Sequence, residues 1–210
     1  MASTPRAVLR PGSPVARTSG APGCLGALLV RGDAVFGLSA AHVLAGPEPV
    51  PPGAELFGPE RQPLGRLHAH TPLILDGLTV HRYDLAAFRV APGVQVDPSL
   101  AGFGPPRFGD FDRPAEGQAV LCVGRHGVLR RGRVVAPECA MLVDLSCGSL
   151  RFEGLVGVAG EAGAPFSLPG DSGALVVDAE SLEALGLLVG GEGDVSVACP
   201  LDLRRLALAA

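Results

Sequence analysis

Hydrophobic residues occur along the chain in short runs that are separated by turn-forming residues. Ten segments rich in Val, Leu and Ala are bounded by Gly, Pro, Asp or Ser, a pattern that favours short strands over long helices. The predicted strands are Gly26–Val30, Ala34–Leu38, Leu73–Val80, Leu85–Val90, Ala119–Val123, Gly132–Val135, Met141–Leu145, Gly173–Val177, Leu185–Val189 and Val195–Leu201. A short helical turn is predicted after His42 and a helix at 202–210, where Asp202 favours a helix start. The pattern therefore predicts an all-β protein with a short C-terminal helix.

The predicted strands form two groups, one on each side of a segment dense in Pro and Gly. Such a composition is typical of a connector that lies on the protein surface. We expect a division into five parts. These are a flexible N-terminal segment at 1–17, a first β-domain at 18–95, the connector at 96–117, a second β-domain at 118–201 and the terminal helix at 202–210.

Composition and charge exclude several classes of function. The formal net charge is −4 and the sequence has no block of basic residues, so we expect no nucleic-acid partner. The chain contains neither Lys nor Asn. Walker-type phosphate loops, Ser–Lys dyads and Cys–His–Asn triads are therefore excluded.

The cysteines and the N-terminus bear on the cellular compartment. The five Cys are irregularly spaced and none forms a C-x-x-C pair, so we interpret them as reduced structural thiols. The first 20 residues have no apolar core of signal-peptide length, and no apolar run is long enough to span a membrane. We expect a cytoplasmic protein with no membrane contact.

Three short motifs contain residues that suit acyl-transfer chemistry. Ser172 lies between two glycines in the turn LPGDSGA, where backbone N–H groups can point at a common spot, although any surface turn has the same composition. His42 follows a predicted strand in LSAAHVL, and Asp84 opens another in YDLAAF. Taken alone, His42 is more simply a His packed at a strand end, and Asp84 is more simply a turn residue. Together they supply the base, the orienting carboxylate and the nucleophile of a triad, in the order His, Asp, Ser.

The chain resembles trypsin-like (chymotrypsin-fold) serine peptidases of the bacterial, intracellular kind. The resemblance is carried by three segments that match the family's signature segments in the family's order: LSAAHVL, YDLAAF and PGDSGALV. It extends over about residues 24–201. The resemblance implies two perpendicular six-stranded β-barrels with the triad between them. It implies that His42 is the general base, Asp84 its orienting carboxylate and Ser172 the nucleophile, with the N–H groups of Gly170 and Ser172 as the oxyanion hole. It further implies a protein or peptide substrate and no metal or organic cofactor.

Two departures from the family concern disulfide bridges, and one expectation concerns activation. Val43 and Leu168 stand where many secreted members have bridging cysteines, as expected in a reducing compartment. In zymogens of the family a freed N-terminus pairs with the Asp before the nucleophile, here Asp171. Because this chain offers no such cleavage sequence, we expect an Arg or a set of backbone donors to hold Asp171.

The resemblance also suggests which residues bind substrate. Val189, Gly190 and Gly191 look like the strand that pairs with the substrate backbone. Phe166 stands at the family's usual pocket base, which taken alone indicates an apolar or shallow pocket. Asp194 falls where the second pocket wall begins, with Glu192 as an exposed alternative. We favour cleavage after Arg over cleavage after small or apolar residues.

Alternatives remain for the other histidines and for the function itself. His68 and His70 could form a metal site, but no Cys or carboxylate lies at suitable local spacing, so we interpret them as loop residues. A trypsin-fold module that binds peptides with little turnover is the alternative function. A regulatory protein partner, as in a defence or stress system, is one way to control a cytoplasmic peptidase.

Overall fold

The computed structural model describes residues 8–46, 50–145 and 148–208, and these residues are almost entirely strands and turns. The strands are β1 (Pro14–Arg17), β2 (Gly23–Cys24), β3 (Ala27–Arg31), β4 (Ala34–Ser39), β5 (Glu55–Phe57), β6 (Pro63–His70), β7 (Val80–His81), β8 (Ala86–Val90), β9 (Ala119–Gly124), β10 (Val128–Leu145), β11 (Gly148–Gly160), β12 (Leu175–Asp178), β13 (Ala184–Glu192) and β14 (Val195–Pro200). One α-helix, α1 (Ala41–Leu44), and four 3₁₀ helices, Pro59–Arg61, Arg125–Gly127, Glu161–Gly163 and Leu203–Leu206, complete the described elements. The all-β fold class is confirmed.

The first sheet is a six-stranded barrel. Its order is β2-β1-β5-β6-β8-β4-β3, and only Leu25 and Gly26 separate β2 from β3. Counting β2 and β3 as one interrupted strand closes the ring. The β3–β4 hairpin has the two-residue turn Gly32–Asp33, in which Gly32 has a φ of 54°. Such a turn matches the twist of the two strands that it joins.

The second sheet is closed by the long β10–β11 hairpin. Its order is β10-β9-β12-β13-β14-β11-β7, and β10 also pairs with β11, so β9 to β14 form a ring of six strands. The seventh strand, β7, lies in the part of the chain that supplies the first barrel, but it pairs in parallel with β11. This pairing places the segment before Asp84 against the second barrel.

Several predicted boundaries differ from the structure. The predicted strand Leu73–Val80 is mostly a loop, because Asp76 Oδ1 accepts hydrogen bonds from the backbone N–H groups of Leu78 and Thr79 and ends the extended conformation. The preceding segment, β6, contains His68 and His70, which were expected to lie in a loop. Its side chains alternate only partly, and tertiary pairing with β5 and β8 makes it a strand.

The ends of the chain also differ from expectation. The strand β1 lies inside the segment that was expected to be flexible, and the backbone N–H of Leu9 donates to the carbonyl of Gln95 at 2.9 Å. The predicted terminal helix is a single 3₁₀ turn over Leu203–Leu206, and the carboxylate of Asp202 accepts from the Arg204 N–H at 3.1 Å. Residues 91–118 contain no strand or helix, only isolated bridges at Val96 and Arg107.

Candidate active site

His42 and Asp84 form a hydrogen-bonded pair at the edge of the first barrel. His42 lies in the single turn of α1, directly after β4, and Asp84 lies just before β8. Because β4 and β8 are paired, their ends bring the two residues together. Asp84 Oδ2 accepts from the ring Nδ1 at 2.5 Å and Oδ1 accepts from the His42 backbone N–H at 2.9 Å. With the Asp84 side chain fully buried, these two contacts fix both the position of the ring and the tautomer with its proton on Nδ1.

A residue of the second barrel touches the same pair. The backbone N–H of Asp84 donates to Cys199 Sγ, on β14, at 3.4 Å. Cys199 is completely buried, and burial together with the Asp84 carboxylate raises the pKa of its thiol. The thiol therefore stays neutral beside the carboxylate, and it ties the orientation of Asp84 to the docking of the two barrels.

Ser172 lies on a turn whose backbone admits only glycine at the next position. Gly173 has a φ of 90°, and a Cβ atom there would lie 2.2 Å from Ser39 Oγ. The turn is held against the first barrel because the Cys24 N–H donates to the Ser172 carbonyl at 2.8 Å. The sequence order Ser-Gly is thus required by the close approach of the two barrels behind the nucleophile.

Ser172 and His42 line the same cleft between the barrels, which has a volume of about 460 Å³. Ser172 Oγ donates to the carbonyl of Val189 at 3.3 Å. No hydrogen bond joins the hydroxyl to the His42 ring in the described structure. Ser172 is half-buried and lines the cleft, so a rotation about its Cα–Cβ bond to another staggered rotamer redirects the hydroxyl.

Two backbone N–H groups beside Ser172 Oγ remain available to a ligand. Those of Asp171, Gly173 and Ala174 all donate to backbone carbonyls, whereas those of Gly170 and Ser172 have no partner among the described residues. Gly170 and Ser172 both line the cleft. Unpaired N–H groups at such a site suit an oxyanion, because they need no reorganisation to receive it.

The conformation of this turn depends on the buried carboxylate of Asp171. Its Oδ1 accepts from the Arg125 backbone N–H at 2.7 Å, and its Oδ2 accepts from the Leu168 N–H at 2.9 Å and from Arg130 Nε at 3.0 Å. The expectation of an Arg or a set of backbone donors is confirmed, since both are present. The sequence could not indicate which of the 17 arginines would serve.

The predicted substrate-binding residues divide into two groups. Val189, Gly190, Gly191 and Asp194 line the cleft, and the β13–β14 register shifts at Val189, which leaves its carbonyl free to accept from Ser172. Phe166 does not line the cleft. It is fully buried in the core of the second barrel, because a large apolar side chain gains more from that core than from a solvated cleft.

Three features of the cleft were missed by the sequence analysis. Asp144, near the tip of the β10–β11 hairpin, and Arg17, at the end of β1, both line it. Ser167 and Ser196 also line it and share a hydrogen bond of 2.8 Å between their hydroxyls. Isolated residues in unrelated segments have no motif that could have identified them.

Comparison with known proteins identifies the family. The family model "trypsin-like peptidase domain" matches residues 24–187, which is most of the chain. The chain belongs to the trypsin-like peptidase family. It is a trypsin-like serine peptidase, as the three motifs indicated. Among curated proteins, none matches the sequence significantly.

Solved structures of bacterial serine proteases share this peptidase fold. Protease A of Thermobifida fusca is 16% identical with a TM-score of 0.60, covering 96% of this chain and 95% of that one. Nocardiopsis protease is 16% identical with a TM-score of 0.63, covering 96% and 97%. An alpha-lytic protease homolog, N4, is 22% identical with a TM-score of 0.62, covering 96% of both. At these identities the similarity concerns the fold alone.

The remaining candidates for chemistry in this peptidase have structural contacts. His68 packs its ring against Phe36, and His70 Nδ1 lies 3.1 Å from the carbonyl of Thr71; both residues are on β6 and not in a loop. Within the described ranges no cluster of three or more His, Cys, Asp or Glu is arranged to hold a metal ion. None of the helices in those ranges has the length and apolar character needed to cross a membrane.

Proposed function

We propose that this protein is an endopeptidase that hydrolyses peptide bonds through an acyl-enzyme on Ser172. The observation that carries the proposal is the His42–Asp84 pair, which shares one cleft with Ser172 and with two unpartnered N–H groups. This set contains every part that acyl transfer needs: a base held in one tautomer, a nucleophile and an oxyanion site.

Each step follows from the contacts of these residues. The Nδ1 proton of His42 is held by Asp84, so Nε2 is free to take the proton of the Ser172 hydroxyl as it attacks the substrate carbonyl. The developing oxyanion is stabilised by the N–H groups of Gly170 and Ser172. His42 then returns the proton to the leaving amine, and a water molecule, activated in the same way, releases the acyl group.

A covalent fluorophosphonate probe tests this assignment and separates it from the alternative of a peptide-binding module. The wild-type protein should be labelled, and Ser172→Ala should be neither labelled nor active. Ser167 lines the same cleft, so Ser167→Ala is the matched control and should still be labelled. A folded wild-type protein that stays unlabelled would support the binding module.

We further propose cleavage after Arg. Two carboxylates, Asp144 and Asp194, lie on the second-barrel side of the cleft, near the strand that is expected to hold the acyl part of the substrate. Both carboxylates are exposed in the free protein. Once bound substrate covers it, a bidentate contact between a carboxylate and a substrate guanidinium contributes about 1.5 to 3 kcal/mol, which is tenfold or more in discrimination. Phe166 no longer argues for an apolar pocket, because it lies in the core.

A peptide library that varies the residue before the cleaved bond tests this specificity. Wild-type enzyme should prefer Arg, and Asp194→Asn should reduce the preference for Arg over Leu about tenfold. Glu192→Gln removes an exposed carboxylate that does not line the cleft, so it should leave the preference unchanged. An Arg preference that survives in Asp194→Asn, or a wild-type preference for Leu, Ala or Phe, would overturn the assignment.

The cellular role is also a proposal. We propose that the peptidase works in the cytoplasm on a narrow set of substrates or under a regulatory protein partner, as in a defence or stress system. The four cysteines that the structure describes are unpaired, which supports a reducing compartment. Rapid digestion of unfolded casein by the purified protein alone would contradict this restraint.

A further inference from the structure

Arg17 is the one Arg or Lys among the described residues that line the active-site cleft. It ends β1, and its side chain lies between two glycines. A Cβ atom on Gly20 would lie 2.9 Å from Arg17 Cγ, and one on Gly46 would lie 2.8 Å from Arg17 Cζ. A larger residue at either position would displace the Arg17 side chain. The two glycines therefore leave the space that the Arg17 side chain occupies.

The guanidinium is only partly satisfied. Arg17 Nη1 donates to the carbonyl of Ala45 at 3.1 Å, but Nε is buried and donates to no described group. Among the described residues no carboxylate forms an ion pair with Arg17, although seven other arginines have such partners. A positioned cation without an anion retains the capacity to bind one, because a charge-assisted hydrogen bond is stronger than a neutral one.

The position of Arg17 relative to Ser172 indicates which part of a substrate it meets. On one side of Ser172, the Gly173 N–H donates to Leu188 and the hydroxyl donates to Val189. Both carbonyls are on β13, the strand that we expect to hold the acyl part of the substrate. On the other side, the Ser172 carbonyl accepts from Cys24 of the β1–β2 hairpin. With the acyl part on β13, the chain beyond the cleaved bond lies on the opposite side of Ser172, over this hairpin.

We infer that Arg17 recognises a carboxylate of the substrate on the leaving side of the cleaved bond. The inference rests on the proposed peptidase function. The carboxylate belongs either to an Asp or Glu side chain one or two residues after the cleaved bond or to the free C-terminus of a short leaving peptide. The cleft then selects substrates with opposite charges on the two sides: a cation toward Asp144 and Asp194, and an anion toward Arg17.

Internally quenched peptides test this inference. The residue before the cleaved bond is kept at the one that the library shows to be preferred, and Glu, Gln or Lys is placed at each of the next two positions. A separate pair of peptides ends two residues after the bond as a free acid or as an amide. In wild-type enzyme we expect kcat/KM to be about tenfold higher for Glu than for Gln at one of the positions, or for the acid than for the amide.

Variants of Arg17 connect the preference to this side chain. Arg17→Gln should bring the ratio of kcat/KM between Glu and Gln peptides, or between acid and amide peptides, to about one. Arg17→Lys should keep part of this preference. Arg17→Glu should instead favour peptides with Lys. Arg61, an exposed arginine outside the cleft, is the matched control, and Arg61→Gln should leave the ratio unchanged. Glu48 lies outside the described residues. Glu48→Gln is a second control and should also leave the ratio unchanged, because the carboxylate that Arg17 recognises belongs to the substrate.

The outcomes separate this inference from the proposed function. Wild-type protein that does not label with the fluorophosphonate probe removes the peptidase function itself. Protein that labels and cleaves but shows equal rates with Glu, Gln and Lys at both positions, and with acid and amide, overturns the role of Arg17. A preference for carboxylates that persists in Arg17→Gln also overturns it.

Discussion

Replacing Arg130 by Met should destabilise the protein and inactivate the nucleophile turn together. The ion pair from Arg130 Nε to Asp171 Oδ2 is 3.0 Å long, and the side chains are only 17% and 3% exposed. Removing one partner of a buried pair leaves an uncompensated charge and costs about 3 to 5 kcal/mol. Asp171 keeps two backbone donors, so we expect the lower end, about 3 kcal/mol, in the free energy of unfolding.

Activity should fall with the same substitution because Asp171 directly precedes Ser172. A carboxylate that moves toward water pulls the turn with it and displaces the N–H groups of Gly170 and Ser172. Loss of one oxyanion donor typically costs a factor of about 100 to 1000 in kcat, and we expect a loss of at least about 100-fold. The rate of fluorophosphonate labelling should fall in parallel.

A double-mutant cycle isolates the contribution of the pair. Urea unfolding of wild type, Arg130→Met, Asp171→Asn and the double variant should give a coupling energy of about 2 kcal/mol or more. The exposed pair of Arg66 with Glu55, which has the same length of 3.0 Å, is the matched control, and the same cycle with Arg66→Met and Glu55→Gln should give a coupling energy below about 0.5 kcal/mol. A coupling energy for Arg130 and Asp171 as small as that of the control, with full activity in Arg130→Met, would refute the reasoning.

Two other substitutions or conditions give equally direct outcomes. Gly173→Ala should lower the free energy of unfolding by about 3 kcal/mol or more and abolish activity, because its Cβ would lie 2.2 Å from Ser39 Oγ. The control Gly163→Ala is also at positive φ but in open space, so it should lower the free energy of unfolding by only about 1 kcal/mol. Equal losses in the two variants would contradict the steric argument. Stability should also decrease above about pH 8.5, because burial raises the pKa of the thiols of Cys24, Cys122 and Cys199 while the same thiols ionise in the unfolded chain. Three protons at about 1.4 kcal/mol each predict that the free energy of unfolding falls by about 4 kcal/mol per pH unit, measured by urea unfolding under reducing conditions. The chain has no Lys and a single Tyr, so few other side chains titrate in this range. A free energy of unfolding that stays constant up to pH 10 would contradict the prediction.

The sequence determined the fold class and the candidate triad because both depend on local signals. Short apolar runs between turn residues indicate strands whatever the tertiary structure, and three motifs in the order His42, Asp84, Ser172 are specific in combination. The free thiols were also predictable: the four described cysteines are unpaired, and Cys147 lies outside the described residues. The strand β11 was missed, because its glycines and charges interrupt the apolar pattern that its partners complete.

Only the tertiary structure decided which residues surround the triad. Phe166 lies in the core and its neighbour Ser167 lines the cleft, in a segment without regular secondary structure, so no periodic pattern in the sequence shows which of the two faces the cleft. The pairing of Arg130 with Asp171 and the position of Arg17 at the leaving side both join segments far apart in the chain. Such contacts depend on strand register and on the docking of two barrels, and both are long-range properties that no local pattern encodes.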